Sequence, residues 1–98
     1  MNSISIEELY NKIKRNENIN LIDIRSVYQF NNGHIKNSMN IPKNLLMTNP
    51  SNYLSKNNTY YIYCQSGTTS NNVVNELNYL GYNTINVKGG YNLYLLMK

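Results

Sequence analysis

The chain has one cysteine, one histidine, two prolines and no tryptophan in 98 residues. A lone cysteine forms no internal disulfide, no Cys-x-x-Cys redox pair and no zinc cluster. No apolar run approaches the ~20 residues of a membrane span, and none near the start resembles a signal peptide, so no membrane partner is expected. Thiols stay reduced in the cytoplasm, which is the expected location of a chain with one unpaired cysteine. Charge is also scarce, at 14% of residues with a net +4. The only tight basic cluster is Lys12, Lys14 and Arg15, late in an expected helix, where cations suit the helix dipole. Nucleic-acid binding usually shows as a denser stripe or patch, so no such partner is expected. A mildly positive surface does draw in small anions. With no repeats, no low-complexity linker and no internal boundary, residues 1–98 read as a single domain.

What is present is sufficient for a core, with 41% hydrophobic residues. The low mean hydropathy comes mainly from 21 asparagines, polar but uncharged, which read as surface and turn residues. Strand-like and helix-like segments alternate, the pattern of a parallel sheet covered by helices. Ser3-Ile4 reads as a short edge strand. Ser5 and Glu8 make a capping box that opens a helix over Ile6–Arg15, with Leu9 and Ile13 inward. Residues 19–24 read as a buried strand, and Ser26 caps a short helix through Phe30 that stops at Asn31-Asn32-Gly33. Ser38–Ile41 is extended, since Pro42 bars Ile41 from helix. Residues 43–54 read as irregular or weakly helical, with a break at Asn49-Pro50. Tyr60–Tyr63 is a strand, and Ser70 begins a helix carrying Val73, Val74, Leu77 and Leu80, closed by Gly81. Thr84–Val87 is a further strand. After the Gly89-Gly90 turn, residues 91–97 form a last helix with Leu93, Leu96 and Met97 available for packing.

The segment that carries chemistry is Cys64-Gln65-Ser66-Gly67-Thr68-Thr69-Ser70, between the end of a strand and the start of a helix. Ligands of open α/β sheets bind at that edge. Unpaired amides and the helix dipole favour negative charge there, and Gly67 permits the turn that aims amides inward. A thiol in such a nest falls below its free pKa of ~8.5 and becomes a nucleophilic thiolate. A lone cysteine is otherwise often a small core residue. Its position at the mouth of a Ser/Gly/Thr loop favours the reactive reading.

Four segments together resemble the rhodanese homology domain over nearly the whole chain. They are Leu21-Ile22-Asp23-Ile24-Arg25, with its Asp-x-Arg element; Gly33-His34-Ile35 through Asn40-Ile41-Pro42; the Cys64–Ser70 loop; and Val87-Lys88-Gly89-Gly90. Their order and separations fit the family as well. The resemblance implies an α/β fold with a five-stranded, largely parallel sheet and helices on both faces. It implies a thiosulfate sulfurtransferase type of activity without cofactor or metal. In that reaction Cys64 takes a sulfane sulfur from a small anionic donor such as thiosulfate, and the persulfide passes it to a thiol, cyanide or protein acceptor. Gln65, Ser66, Gly67, Thr68 and Thr69 would supply the amide cradle up to Ser70, with hydroxyls of Ser66, Thr68 and Thr69 as added donors. Two departures are visible. Thr69 stands where many members have an Arg that pairs with the donor, and Tyr94 stands where a Trp is frequent.

Other candidates weigh less. His34 falls in a turn, where its imidazole is expected to bond backbone rather than act as a base. Asp23 and Arg25 end a strand on the Cys64 side of the sheet; a local ion pair or cap is favoured over shaping the site. The ten tyrosines are spread along the chain and read as core and rim aromatics. Cysteine-dependent phosphatases and arsenate reductases use a similar loop ending in Arg, and this loop has none. A rhodanese-like interaction module that has lost its chemistry is the non-enzymatic alternative, and it has no need of Cys64 and Gly67.

Overall fold

The computed structural model describes residues 2–97. Its strands are β1 (Ser3–Ile4), β2 (Asn20–Asp23), β3 (Met39–Asn40), β4 (Thr59–Tyr63) and β5 (Asn83–Val87). They form one sheet in the order β1-β5-β4-β2-β3, with every pairing parallel. The helices are α1 (Ile6–Lys14), α2 (Val27–Asn31), α3 (Lys43–Thr48), α4 (Thr68–Tyr79) and α5 (Gly90–Met97), with a 3-10 turn at Pro50–Asn52. The expected α/β sheet with helices on both faces is what the chain forms.

Two cores follow from the period-2 alternation of buried strands. Ile22, Ile24, Tyr60 and Ile62 face one side, packing with Leu46 of α3 and with Val73, Val74 and Leu77 of α4. Leu21, Tyr63 and Val87 face the other, with Leu9 and Ile13 of α1 and Tyr94 of α5. Cys64 follows Tyr60 and Ile62 in parity and therefore emerges on the α4 side. On that side β5 presents Thr84 and Asn86, both buried and both polar. Thr84 is satisfied by donating to Asn78 Oδ1 at 2.8 Å and to the Val74 carbonyl at 3.2 Å.

The elements depart from the sequence reading in four places. The full capping box is at α2, where Gln29 N donates to Ser26 Oγ and Ser26 N to Gln29 Oε1. At α1 only half of it forms: Ser5 Oγ accepts from Glu8 N, while the Glu8 carboxylate takes the Ser5 hydroxyl instead of its amide. Residues 43–48 form a regular helix, firmer than the irregular or weakly helical stretch expected, and it ends at the expected Asn49-Pro50 break; it is started by an amide bond from Lys43 N to the Ile24 carbonyl. Helix α4 begins at Thr68, two residues before Ser70, because Gly67 takes φ 94° and caps it.

The fourth departure is the phase of α5. Leu93 and Leu96 are exposed, and Tyr94 is the large residue that is buried, flanked by partly buried Tyr91 and Met97. The segment is apolar on several sides, so hydrophobicity alone did not set its rotation. The rotation is set by its first turn, where Tyr91 N and Asn92 N donate to the carbonyls of Cys64 and Gln65, both at 3.0 Å.

Candidate active site

Cys64 stands just past the carboxyl end of β4, the central strand, and is 6% exposed. The Gly67 turn folds the following backbone over the sulfur. Gly67 N donates to Sγ at 3.2 Å and Ser70 N at 3.3 Å. A Cβ on Gly67 would lie 2.8 Å from Gly89 N, so the close approach of the two loops needs a glycine as much as the positive φ does. The thiol donates to Ser70 Oγ at 3.3 Å, and that hydroxyl donates to Asn86 Oδ1 at 2.5 Å. The other end of the Asn86 amide donates to the Gly67 carbonyl at 3.3 Å. One buried asparagine on β5 thus holds both the turn and the hydroxyl that meet the sulfur.

Burial alone would raise the Cys64 pKa. The Ser70 hydroxyl and the amides of Ser70, Gly67 and Ser66 together outweigh it and hold the thiol below its ordinary value. For the Ser70 hydroxyl to donate to the thiolate on ionisation, its single proton turns from Asn86 Oδ1 to the sulfur. The alkylation rate of Cys64 against pH is therefore expected to show a midpoint below that of an unperturbed thiol. Ser70→Ala should move that midpoint up and slow alkylation at neutral pH by roughly tenfold, since a hydrogen bond to a charged group is lost. An unchanged pH profile in Ser70→Ala would show that the amides alone set the thiol's acidity.

The loop is braced by Arg25. Its guanidinium donates to both oxygens of fully buried Asp23, with Nη2 at 2.8 Å from Oδ2. It also donates to the Gly33 carbonyl at 2.7 Å and to Gln65 Oε1 at 3.0 Å, and lies 4.2 Å from the centre of the Tyr91 ring. Burial opposes the charge, but Asp23 more than offsets that and keeps the guanidinium protonated. All four segments singled out in the sequence meet here: Asp23 and Arg25, the Gly33 turn, the cysteine loop, and the helix after Gly89-Gly90. The expected ion pair is present, and Arg25 also lines the cavity that Cys64 lines.

A cavity of about 270 Å³ opens over the sulfur. Cys64, Gln65, Ser66 and Thr69 line one side, and Ile24, Arg25, Ser26, Gln29 and Lys43 the other. A larger hollow of about 480 Å³ lies by the opposite edge of the sheet, among Thr59, Asn78 and Thr84, and is lined by no cysteine or histidine.

The sequence-chosen residues divide as follows. Cys64, Gly67 and Ser70 meet at the sulfur, and Thr69 is exposed at the cavity wall. Ser66 and Thr68 hydroxyls bond each other at 3.4 Å, and Thr68 faces a separate hollow on the far side of the loop. The hydroxyl at Sγ is that of Ser70, not those of Ser66, Thr68 or Thr69. Gln65 turns its side chain away, to Arg25 and Asn92. His34 bonds the Phe30 carbonyl at 2.9 Å and stacks on that ring, as the structural reading expects. Sequence reasoning missed Asn86 and Lys43. For Asn86 the available signal was a polar residue at an inward position of a buried strand. For Lys43 there was none.

Residues 5–96 match the model of the rhodanese-like domain, and the chain belongs to that family. The solved structure of SSP1007 from Staphylococcus saprophyticus is similar, with a TM-score of 0.87, 37% identity, and coverage of 96% of this chain and 93% of that one. YtwF of Bacillus subtilis, a candidate sulfurtransferase, is 33% identical over 87 residues, 89% of this chain and 84% of that protein. YrkF of the same organism, a candidate sulfur carrier protein, is 30% identical over 88 residues. The chain spans only 47% of YrkF. Among the described residues, no helix is long and apolar enough to cross a membrane.

Proposed function

We propose that this domain is a sulfurtransferase of the thiosulfate type, carrying a sulfane sulfur on Cys64. Membership of the rhodanese-like family, together with the likeness to YtwF and YrkF, supports sulfur transfer as the general role. The observation that carries the finer reading is a thiol held below its ordinary pKa by the Ser70 hydroxyl and the loop amides, beside a small cavity that Cys64 lines.

The first half-reaction starts from the Cys64 thiolate, which attacks the outer sulfur of thiosulfate. A new S–S bond forms on Cys64 as the donor's own S–S bond breaks, and sulfite leaves with the bonding electron pair. The persulfide so formed is an anion, and its negative charge is favoured by the loop amides and the amino end of α4 beside Cys64. In the second half-reaction cyanide or a thiolate attacks the terminal sulfur. Thiocyanate or a new persulfide departs, and Cys64 returns as the thiolate. The chain has no second cysteine to resolve the persulfide as an internal disulfide, so turnover needs an external nucleophile.

Steady-state formation of thiocyanate from thiosulfate and cyanide tests this reading. The wild-type protein should turn over, and Cys64→Ala should lose at least about a thousandfold in kcat/KM, as removal of a covalent nucleophile does. Equal rates in the two would remove Cys64 from the reaction. A phosphatase reading gains nothing from the geometry, since the only arginine at the cavity is already committed to Asp23.

A further inference from the structure

We propose that Lys43 is the residue that recognises the negative charge of the sulfur donor at Cys64; this rests on the sulfurtransferase reading above. The cavity over the sulfur is lined by two cations, Arg25 and Lys43, and by no carboxylate. Arg25 is not available to a ligand. Four of its five N–H groups go to Asp23, Gly33 and Gln65, its side chain is only 4% exposed, its plane is covered by Tyr91, and its charge is balanced by a buried aspartate. Lys43 is in the opposite condition. It is exposed, and among the described residues its ammonium forms no ion pair or hydrogen bond.

The backbone of Lys43 is nevertheless fixed. Its amide donates to the Ile24 carbonyl at 3.0 Å, which ties the start of α3 to the end of β2. Ile24 and Lys43 therefore stand together at the cavity wall across from the Cys64–Thr69 loop. A long, flexible stem on a fixed base lets the ammonium meet an anion over the sulfur and withdraw as product leaves. On the loop side, the residue offered to the same cavity is Thr69, which has no charge. The site thus takes its ligand-facing cation from α3 rather than from the loop. A thiosulfate bound with its outer sulfur toward Cys64 would present its sulfonate to the open side of the cavity, where that ammonium reaches. The same charge favours sulfite as it departs. Selection is for small anionic donors over neutral ones.

Two alkylating agents of nearly equal shape test this without requiring sulfur transfer. Iodoacetate carries a negative charge and iodoacetamide does not, and both report on Cys64 alone because it is the only cysteine. In wild-type protein at low salt the iodoacetate rate, taken relative to the iodoacetamide rate, should exceed that of Lys43→Gln by about three- to fivefold, the worth of one partly solvated charge at a few ångströms. Lys43→Arg should restore the ratio, Lys43→Glu should lower it further, and added salt should shrink the difference. The double variant Lys43→Gln with Thr69→Arg should recover it, because the charge is returned to the same cavity from the other wall. With thiosulfate, Lys43→Gln should raise KM by a similar factor. An iodoacetate to iodoacetamide ratio equal in wild type and Lys43→Gln would overturn the proposal. If the ratio falls as expected but wild-type protein takes no sulfur from thiosulfate, Lys43 is still the anion-recognising residue and it is the donor assignment that fails.

Discussion

Arg25→Ala is expected to lose about 3–5 kcal/mol of stability, the cost of stripping the partner from a buried charge. Asp23 has no exposed surface, and after the substitution its carboxylate would keep only the amide of residue 25 among the partners that Arg25 now supplies. The Gly33 carbonyl and Gln65 Oε1 would each lose a donor in the same step. Arg25→Lys should fall between wild type and alanine, because an ammonium restores the charge without the fork that spans Asp23. Chemical denaturation of the three proteins measures this. A surface contrast is available in Arg15, whose pair with Glu17 is exposed and whose removal should change stability little. If Arg25→Ala unfolds no more readily than Arg15→Ala, the junction of the four segments does not hold the fold.

Gly90→Ala is expected to damage both stability and the thiol. A Cβ at this position would lie 2.3 Å from the Cys64 carbonyl oxygen and 3.0 Å from that of Gln65, and both are backbone atoms with little room to yield. The residue also has φ 56°, in the left-handed region. The conformation alone costs about 1–3 kcal/mol for a side-chain-bearing residue, and the clash adds to it. Relief of the clash requires the cysteine loop to move off the first turn of α5, breaking the bonds from Tyr91 N and Asn92 N. The loop amides then leave the sulfur. Gly90→Ala should accordingly bring the alkylation midpoint of Cys64 up toward that of a free thiol, alongside a lower melting temperature. A destabilised variant with an unshifted midpoint would mean that α5 supports the fold without shaping the cradle.

These two residues also mark how far the sequence could be read. The strands were legible because hydrophobic β-prone runs such as Leu21–Ile24 and Tyr60–Tyr63 are bounded by turn-forming polar residues; that Cys64 emerges on the α4 side came only with the fold. The cysteine loop was legible for the same reason: a strand end, a glycine and a helix start follow one another within seven residues. What failed to show were contacts between segments distant in sequence. The phase of α5 is decided by two amide bonds to the cysteine loop, 27 residues away in the chain, and so its apolar residues could not reveal it. The start of α4 depends on the left-handed turn at Gly67, which moved Ser70 from the helix boundary into the first turn, where its amide and hydroxyl both reach the sulfur. Arg25 was seen as a local partner of Asp23, which it is. Its bonds to Gly33 and Gln65 have no local signature. Lys43 looks like any surface lysine until the fold brings α3 to the cavity.

The central claim is that Cys64 accepts a single sulfur. Intact mass measurement of the reduced protein after brief exposure to thiosulfate, with no acceptor present, tests it most directly. The wild-type chain should gain the mass of one sulfur atom and lose it on addition of cyanide, while Cys64→Ala should gain none. A gain of equal yield on Cys64→Ala, or a wild-type chain that stays unmodified at saturating thiosulfate, would contradict the account.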